Sequence, residues 1–135
     1  MAPNPPTGYQ PFEGGGTFID HIGPVYARGE GDARVLGLRV DDRHLNSGGA
    51  VHGGLLATLV DFALGRAIES SADGDEPRVT VSLTTDFLGA VTPGAWVEAH
   101  TEVERLGGTL AFADCSLKVD DREIVRGRGV FAAVS

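Results

Sequence analysis

The sequence predicts an α+β domain in which one six-stranded antiparallel sheet curls around a single long buried helix. Three observations predict it. A glycine-rich loop at 46–54 runs into an unbroken apolar stretch that ends near Ser70. Two strand-like runs precede that stretch and four follow it. The run from Ala95 alternates, with Val97, Ala99, Thr101 and Val103 on one side and Trp96, Glu98, His100 and Glu102 on the other, as a half-buried antiparallel strand does.

Residues 1–16 are rich in proline and glycine and lack periodicity, so an extended or mobile arm is expected, with Tyr9 and Phe12 available to dock it. Gly14-Gly15-Gly16 lacks the Lys-Ser/Thr of a phosphate loop and reads as a hinge. Residues 17–135 form one domain. Runs 18–28 and 32–40 read as a hairpin joined at Gly29-Glu30-Gly31, the first interrupted by Gly23-Pro24 and therefore near an edge. Adjacent Asp41 and Asp42 point to opposite sides of an extended chain. They read as a solvated turn, and no metal site is expected.

The helix is expected over about residues 54–70. Leu55, Leu59, Phe62 and Ile68 lie near one stripe, and Leu56, Val60, Ala63 and Ala67 near the next. A helix apolar on most sides is buried. A polar connection with Asp73-Gly74 follows. The last four strands are expected at 78–87, 95–105, 109–119 and 122–132, with turns at Pro93-Gly94, Gly107-Gly108 and Asp120-Asp121.

Length and composition bound the function. A chain of 135 residues is one domain, and 41% hydrophobic residues suffice for a core. A net charge of −8 argues against a nucleic-acid partner. No run reaches the length of a membrane span and no signal segment opens the chain, so a soluble cytoplasmic protein is expected. The single cysteine, Cys115, allows no internal disulfide. It reads as buried filling.

The chemistry concentrates at 46–61. The first N–H groups of a helix lack intrahelical partners and carry partial positive charge, which suits an anionic oxygen. A carbonyl would be polarised at Gly53 and Gly54, with Asn46 as a second donor. Asp61 stands alone in the apolar run, and an ionised carboxylate there is expensive unless it is used. Gly65, one turn on, removes bulk from the same helix face. Arg126 and Arg128 share one face of the last strand, and their guanidinium groups suit phosphate. Surface pairing with the acidic excess is the alternative. His21, His44 and His100 read as ordinary surface or strand histidines.

Asn46-x5-His52-Gly53-Gly54, with Asp61 nine residues after the histidine, resembles the PaaI-like acyl-CoA thioesterases of the hotdog fold. Thr-Leu-Ala-Phe at 109–112 and the strand from Val79 to Phe87 belong to the same resemblance. It implies a homodimer, or a tetramer of two dimers, with sites shared between subunits. The loop with Asn46 and Gly53 would come from one subunit and Asp61 from the other, as general base or as nucleophile. His52 would orient the loop or the leaving sulfur, or serve only as a turn histidine bonded to backbone. Thr80 occupies the place of a Ser or Thr beside the acyl thioester, or is an ordinary β-branched strand residue, and Arg126 and Arg128 would contact the nucleotide end of coenzyme A. No cofactor is implied, since coenzyme A is part of the substrate. A non-catalytic acyl-CoA-binding protein is the main alternative. A hotdog enoyl-thioester hydratase is disfavoured because no histidine stands five residues after Asp41 or Asp42.

Overall fold

The computed structural model describes residues 4–31, 34–72 and 77–134. Seven strands form one antiparallel sheet: β1 Gln10–Pro11, β2 Tyr26–Arg28, β3 Val35–Arg39, β4 Arg78–Phe87, β5 Trp96–Leu106, β6 Leu110–Val119 and β7 Arg122–Ala133. Their order across the sheet is β1-β2-β3-β5-β6-β7-β4, so the first strand after the long helix pairs with the last. Two helices accompany them, α1 Thr17–Ile22 and α2 Gly53–Ser71, with a 3-10 turn at Asp42–His44.

Helix α2 packs on one face of the sheet. Leu55, Leu56, Leu59, Val60, Ala63, Leu64 and Ile68 are buried, which is the pair of stripes that their three- and four-residue spacing requires. They meet Val97, Ala99, Ala113, Leu117 and Val125 from β5, β6 and β7 in one core. Two glycines of β7 let the helix come close. A Cβ at Gly127 would collide with Val60, and one at Gly129 would stand 2.9 Å from Leu64 Cδ1. Because side chains alternate along a strand, the same pattern turns Arg126 and Arg128 to the outer face.

Two expectations are corrected. The run 18–28 is not one strand. Thr17–Ile22 is helical, and only Tyr26–Arg28 pairs with β3. Ile19 and Ile22 recur three residues apart and pack toward the core, and Gly23 caps the turn through its N–H to the Ile19 carbonyl. The sheet has seven strands, not six, because the arm contributes β1. Gln10 and Pro11 pair with Ala27 and Tyr26. The connection expected around Asp73-Gly74 lies outside the described residues, as do the first two residues of the run 32–40.

The arm, expected to be extended or mobile, passes across the β2 edge and touches both faces of the body. On the outer face Tyr9 is buried, stacks edge-on against Trp96 at 4.9 Å and donates to Glu98 Oε2 at 2.8 Å. On the helix face Phe12 meets Phe62 edge-on at 5.4 Å. The two aromatics expected to dock the arm therefore hold it at both ends of the crossing.

Strand β4 is the long edge of the sheet. Val79, Val81, Phe87 and the following Leu88 are each about half exposed or more (49%, 59%, 51% and 57%). An edge with free backbone groups and exposed apolar side chains is a template for pairing.

Candidate active site

The loop 46–54 is organised by two side chains. Asn46 Oδ1 accepts from the N–H groups of Gly48 (2.9 Å) and Ala50 (3.2 Å), and its own N–H donates to the Ala50 carbonyl. Its amide oxygen is thus turned into the loop, and its NH2 donors remain. His52 is the N-cap of α2, with Nδ1 accepting from Gly54 N–H at 2.8 Å. A neutral ring in this arrangement carries its proton on Nε2. The backbone role considered for His52 is therefore the one its Nδ1 fills.

The two glycines now separate. Gly54 donates its N–H to His52, so it is not the free donor that was expected. A Cβ there would sit 2.9 Å from His52 Nδ1, so the cap itself needs the glycine. Gly53 is different. A Cβ there would meet only the Phe87 ring at 3.5 Å, an ordinary contact. Its N–H has no partner among the described residues. The chain's own packing does not require glycine at 53, and its N–H is the open one at the helix start.

Asp61 lies two turns further along α2, half-buried. Thr80 Oγ1 donates to Asp61 Oδ1 at 2.6 Å. That contact depends on an irregularity in β4. Leu83 and Gly129 are paired, as are Ser82 and Val130, but the register shifts between Thr80 and Ser82. Leu83 lines the same helix-side groove as Asp61, and strict alternation from it would send Thr80 to the outer face. The bulge re-aims Thr80 toward α2. With Oδ1 held by Thr80, Oδ2 of Asp61 is the oxygen without a partner among the described residues.

Two hollows flank this pair. One, of about 530 Å³, is lined by Phe18, Ile19, Ala57, Phe62 and Leu83 with Thr58, and reaches Asp61 and Thr80. The other is smaller, about 150 Å³, and lies toward Gly65, Arg66, Arg78 and Phe131. Gly65 is on its wall, where a Cβ would meet nothing nearer than Phe131 at 3.7 Å.

Arg126 and Arg128 are not brought to this site within the chain. Both are exposed on the outer face. Arg126 pairs with Glu123 at 3.0 Å, and Arg128 reaches Glu104 at 3.4 Å and Asp114 at 4.0 Å. Cys115 is buried in the sheet, and burial pushes its thiol up to about 12, which keeps it protonated and unreactive. His100 pairs with Glu98 at 3.0 Å.

Sequence reasoning missed His44, which is 3% exposed. Its Nδ1 accepts from Asp41 N–H at 3.0 Å and its Nε2 lies 2.7 Å from the Ile22 carbonyl, so Nε2 carries the proton. The Asp41-x-x-His44 spacing was the available signal, since a polar pair three apart can close a capping box.

Gly53 and Asp61 are eight residues apart on one helix, about 12 Å at 1.5 Å per residue. A single carbonyl group does not reach both within one chain.

Comparison with known proteins agrees with this architecture. A family model described as "Thioesterase superfamily" matches residues 48–125. "Putative esterase PA0474" of Pseudomonas aeruginosa is 41% identical over 129 residues, covering 95% of this chain and 96% of that protein. Mouse "Acyl-coenzyme A thioesterase 13" is 32% identical over 96 residues, covering 70% of this chain and 68% of that one. The solved structure of the E. coli PaaI protein superposes with a TM-score of 0.78 at 21% identity over 87% of this chain and 84% of its own, a likeness of fold. The family match takes in the glycine loop from Gly48, all of α2, β4 to β6 and the first residues of β7, and the P. aeruginosa relative matches almost end to end. This seven-stranded hotdog chain belongs to the thioesterase superfamily.

Proposed function

We propose that the protein hydrolyses an acyl-CoA thioester to the free acid and coenzyme A, at a site completed by a second copy of the chain. The observation that carries this reading is the 12 Å helical separation of an open N–H from an open carboxylate oxygen, beside an unpaired apolar edge strand. Along β4, Thr80 stands by Asp61 and Phe87 stands by Gly53. Antiparallel pairing of two β4 strands about their middle, near Leu83, sets the Asp61 end of one copy against the Gly53 end of the other. A two-fold pair of this kind contains two such sites.

In that site the Gly53 N–H, with the Asn46 amide as second donor, holds the thioester carbonyl oxygen as it gains charge. Thr80 fixes Asp61 Oδ1 and leaves Oδ2 toward the carbonyl carbon. As general base, Asp61 takes a proton from water while the water oxygen bonds to carbon. The C–S bond then breaks, and the proton passes to the leaving thiolate. As nucleophile, Asp61 displaces the thiolate first, forming an anhydride that water then hydrolyses. The exposed Nε2–H of His52 is a donor available to the sulfur. The acyl-CoA class is supported by the mouse thioesterase relative.

Mixing two inactive variants tests the shared site. Asp61→Asn and Gly53→Pro each disable both sites of a pure dimer. A mixed dimer keeps one intact site, because Asp61 of one chain meets Gly53 of the other. Random reassortment then restores roughly a quarter of wild-type activity. No restoration after verified subunit exchange refutes the shared site. An inactive wild type against a panel of acyl-CoAs refutes thioester hydrolysis and favours a binding protein.

A further inference from the structure

The larger hollow opens from the Asp61–Thr80 pair and is walled on its far side by α1. Its polar groups are gathered at one end. Thr58, the other hydroxyl on its wall, donates back to the Gly54 carbonyl at 2.8 Å and so turns inward to its own helix. No cationic side chain lines the hollow. Phe18 of α1 is 64% exposed beside it, an aromatic ring held in the open.

A helix of six residues does not hold itself. The N-cap Gly16 supplies no side-chain bond, and at the two ends of the turn Asp20 N–H donates to the Gly16 carbonyl and Gly23 N–H to that of Ile19. Its carbonyl end is held from outside. Arg43 Nη1 donates to the His21 carbonyl at 2.9 Å, and Nη2 to those of Gly23 at 2.7 Å and Ile22 at 3.4 Å. Asp41 holds the same guanidinium in place at 3.1 Å. His44 Nε2–H adds a bond to Ile22, while the His44 carbonyl accepts the His52 N–H at 2.7 Å. One three-residue turn therefore ties the wall of the hollow to the loop that presents Gly53.

We propose that this hollow receives the acyl chain, that it selects apolar, uncharged acyl groups longer than acetyl through Phe18, and that Arg43 and His44 are positioning residues that hold α1 for that selection. The proposal rests on the thioesterase reading for its biological meaning but not for its test, which needs no turnover.

The test uses three non-hydrolysable thioethers: S-ethyl-CoA, S-hexyl-CoA and S-(5-carboxypentyl)-CoA. Calorimetry on the full-length wild type should show S-hexyl-CoA bound tenfold or more tighter than the other two. Phe18→Ala and Arg43→Ala should each lose most of that preference while S-ethyl-CoA affinity stays within twofold. Arg43→Lys keeps the charge beside Asp41 but lacks the fork that reaches several carbonyls, so it should behave as Arg43→Ala. Amide exchange should speed at Asp20 and Gly23 in both Arg43 variants, and the rest of the core should keep its protection. Equal affinity for all three thioethers, tighter binding of the carboxylate, or an intact preference in either Ala variant overturns the proposal. Full rescue by Lys overturns the positioning role. Failure of the wild type to hydrolyse acyl-CoAs, with the binding preference intact, refutes only the hydrolase reading.

Discussion

Thr80 reaches Asp61 because β4 bulges between Thr80 and Ser82, which turns the threonine from the outer face of the sheet to the helix face. The hydroxyl donates to one carboxylate oxygen and leaves the other open. Removing the hydroxyl without changing the shape isolates that bond. Thr80→Val should lower kcat by roughly tenfold, the equivalent of about 1.4 kcal/mol, with the melting temperature nearly unchanged. Thr80→Ser should retain wild-type kcat. Equal kcat in Val and Ser variants removes Thr80 from the mechanism.

Asp61→Asn keeps the shape and removes the charge. If the carboxylate does chemistry, hydrolysis falls by about 100-fold or more, the usual worth of acid–base assistance. Affinity for a thioether analogue and the melting temperature should hold. Retained hydrolysis with a normal melt would leave Asp61 without a catalytic role.

Glycines 53 and 54 should part company under mutation. Gly53→Pro deletes the open N–H and should cost on the order of 100- to 1000-fold in turnover, with circular dichroism checking the fold. Gly53→Ala keeps the N–H and adds a Cβ at ordinary contact distance from Phe87, so the melting temperature should barely move. Gly54→Ala instead drives into the His52 ring and loosens the helix cap, at about 1 kcal/mol of stability. Thermal melts of the two alanine variants side by side decide this.

Gly127→Ala should be the costly change in β7. Its Cβ meets Val60 on the buried face of α2, and overpacking of this kind costs about 1–3 kcal/mol. Arg126→Ala, on the exposed face next door, should stay within about 0.5 kcal/mol. Equal melting temperatures for the two would contradict the packing of α2 on β7.

Cys115 should report unfolding. With its thiol buried and pushed up to about 12, alkylation at pH 8 should be negligible in the native protein and should follow core opening as denaturant is added. Rapid native labelling would mean that the sheet opens there.

Much of the fold was legible because its signals are periodic. The double stripe from Leu55 to Ile68 marked α2, and alternation with paired turn residues marked β4 to β7. Phe18 to Ile22 misled because a single apolar turn looks alike in helix and strand. Its carbonyl end is held by Arg43 and His44, about twenty residues away, which no local pattern shows. The loop and Asp61 were legible as chemistry, since a carboxylate in an apolar helix needs a reason. The division of labour between Gly53 and Gly54 was not, because it depends on which way the His52 ring turns. Arg126 and Arg128 drew attention as a phosphate motif. Their spacing follows from Gly127 and Gly129, whose places against α2 fix which face the arginines take.

The crossing of the arm over β2 also bears on how many copies can join. The sheet has two outer strands, and they are unequal. At one side β1 offers only two residues, one of them Pro11 without an N–H, and Tyr9 and Phe12 fasten the chain around it. At the other, β4 offers ten residues with an open ladder. Sheet growth from both sides would lead to a fibre. With one side stoppered at Gln10 and Pro11, a copy that paired through β4 would have used the one long open strand among the described residues, and a sheet built in that way would stop at two chains.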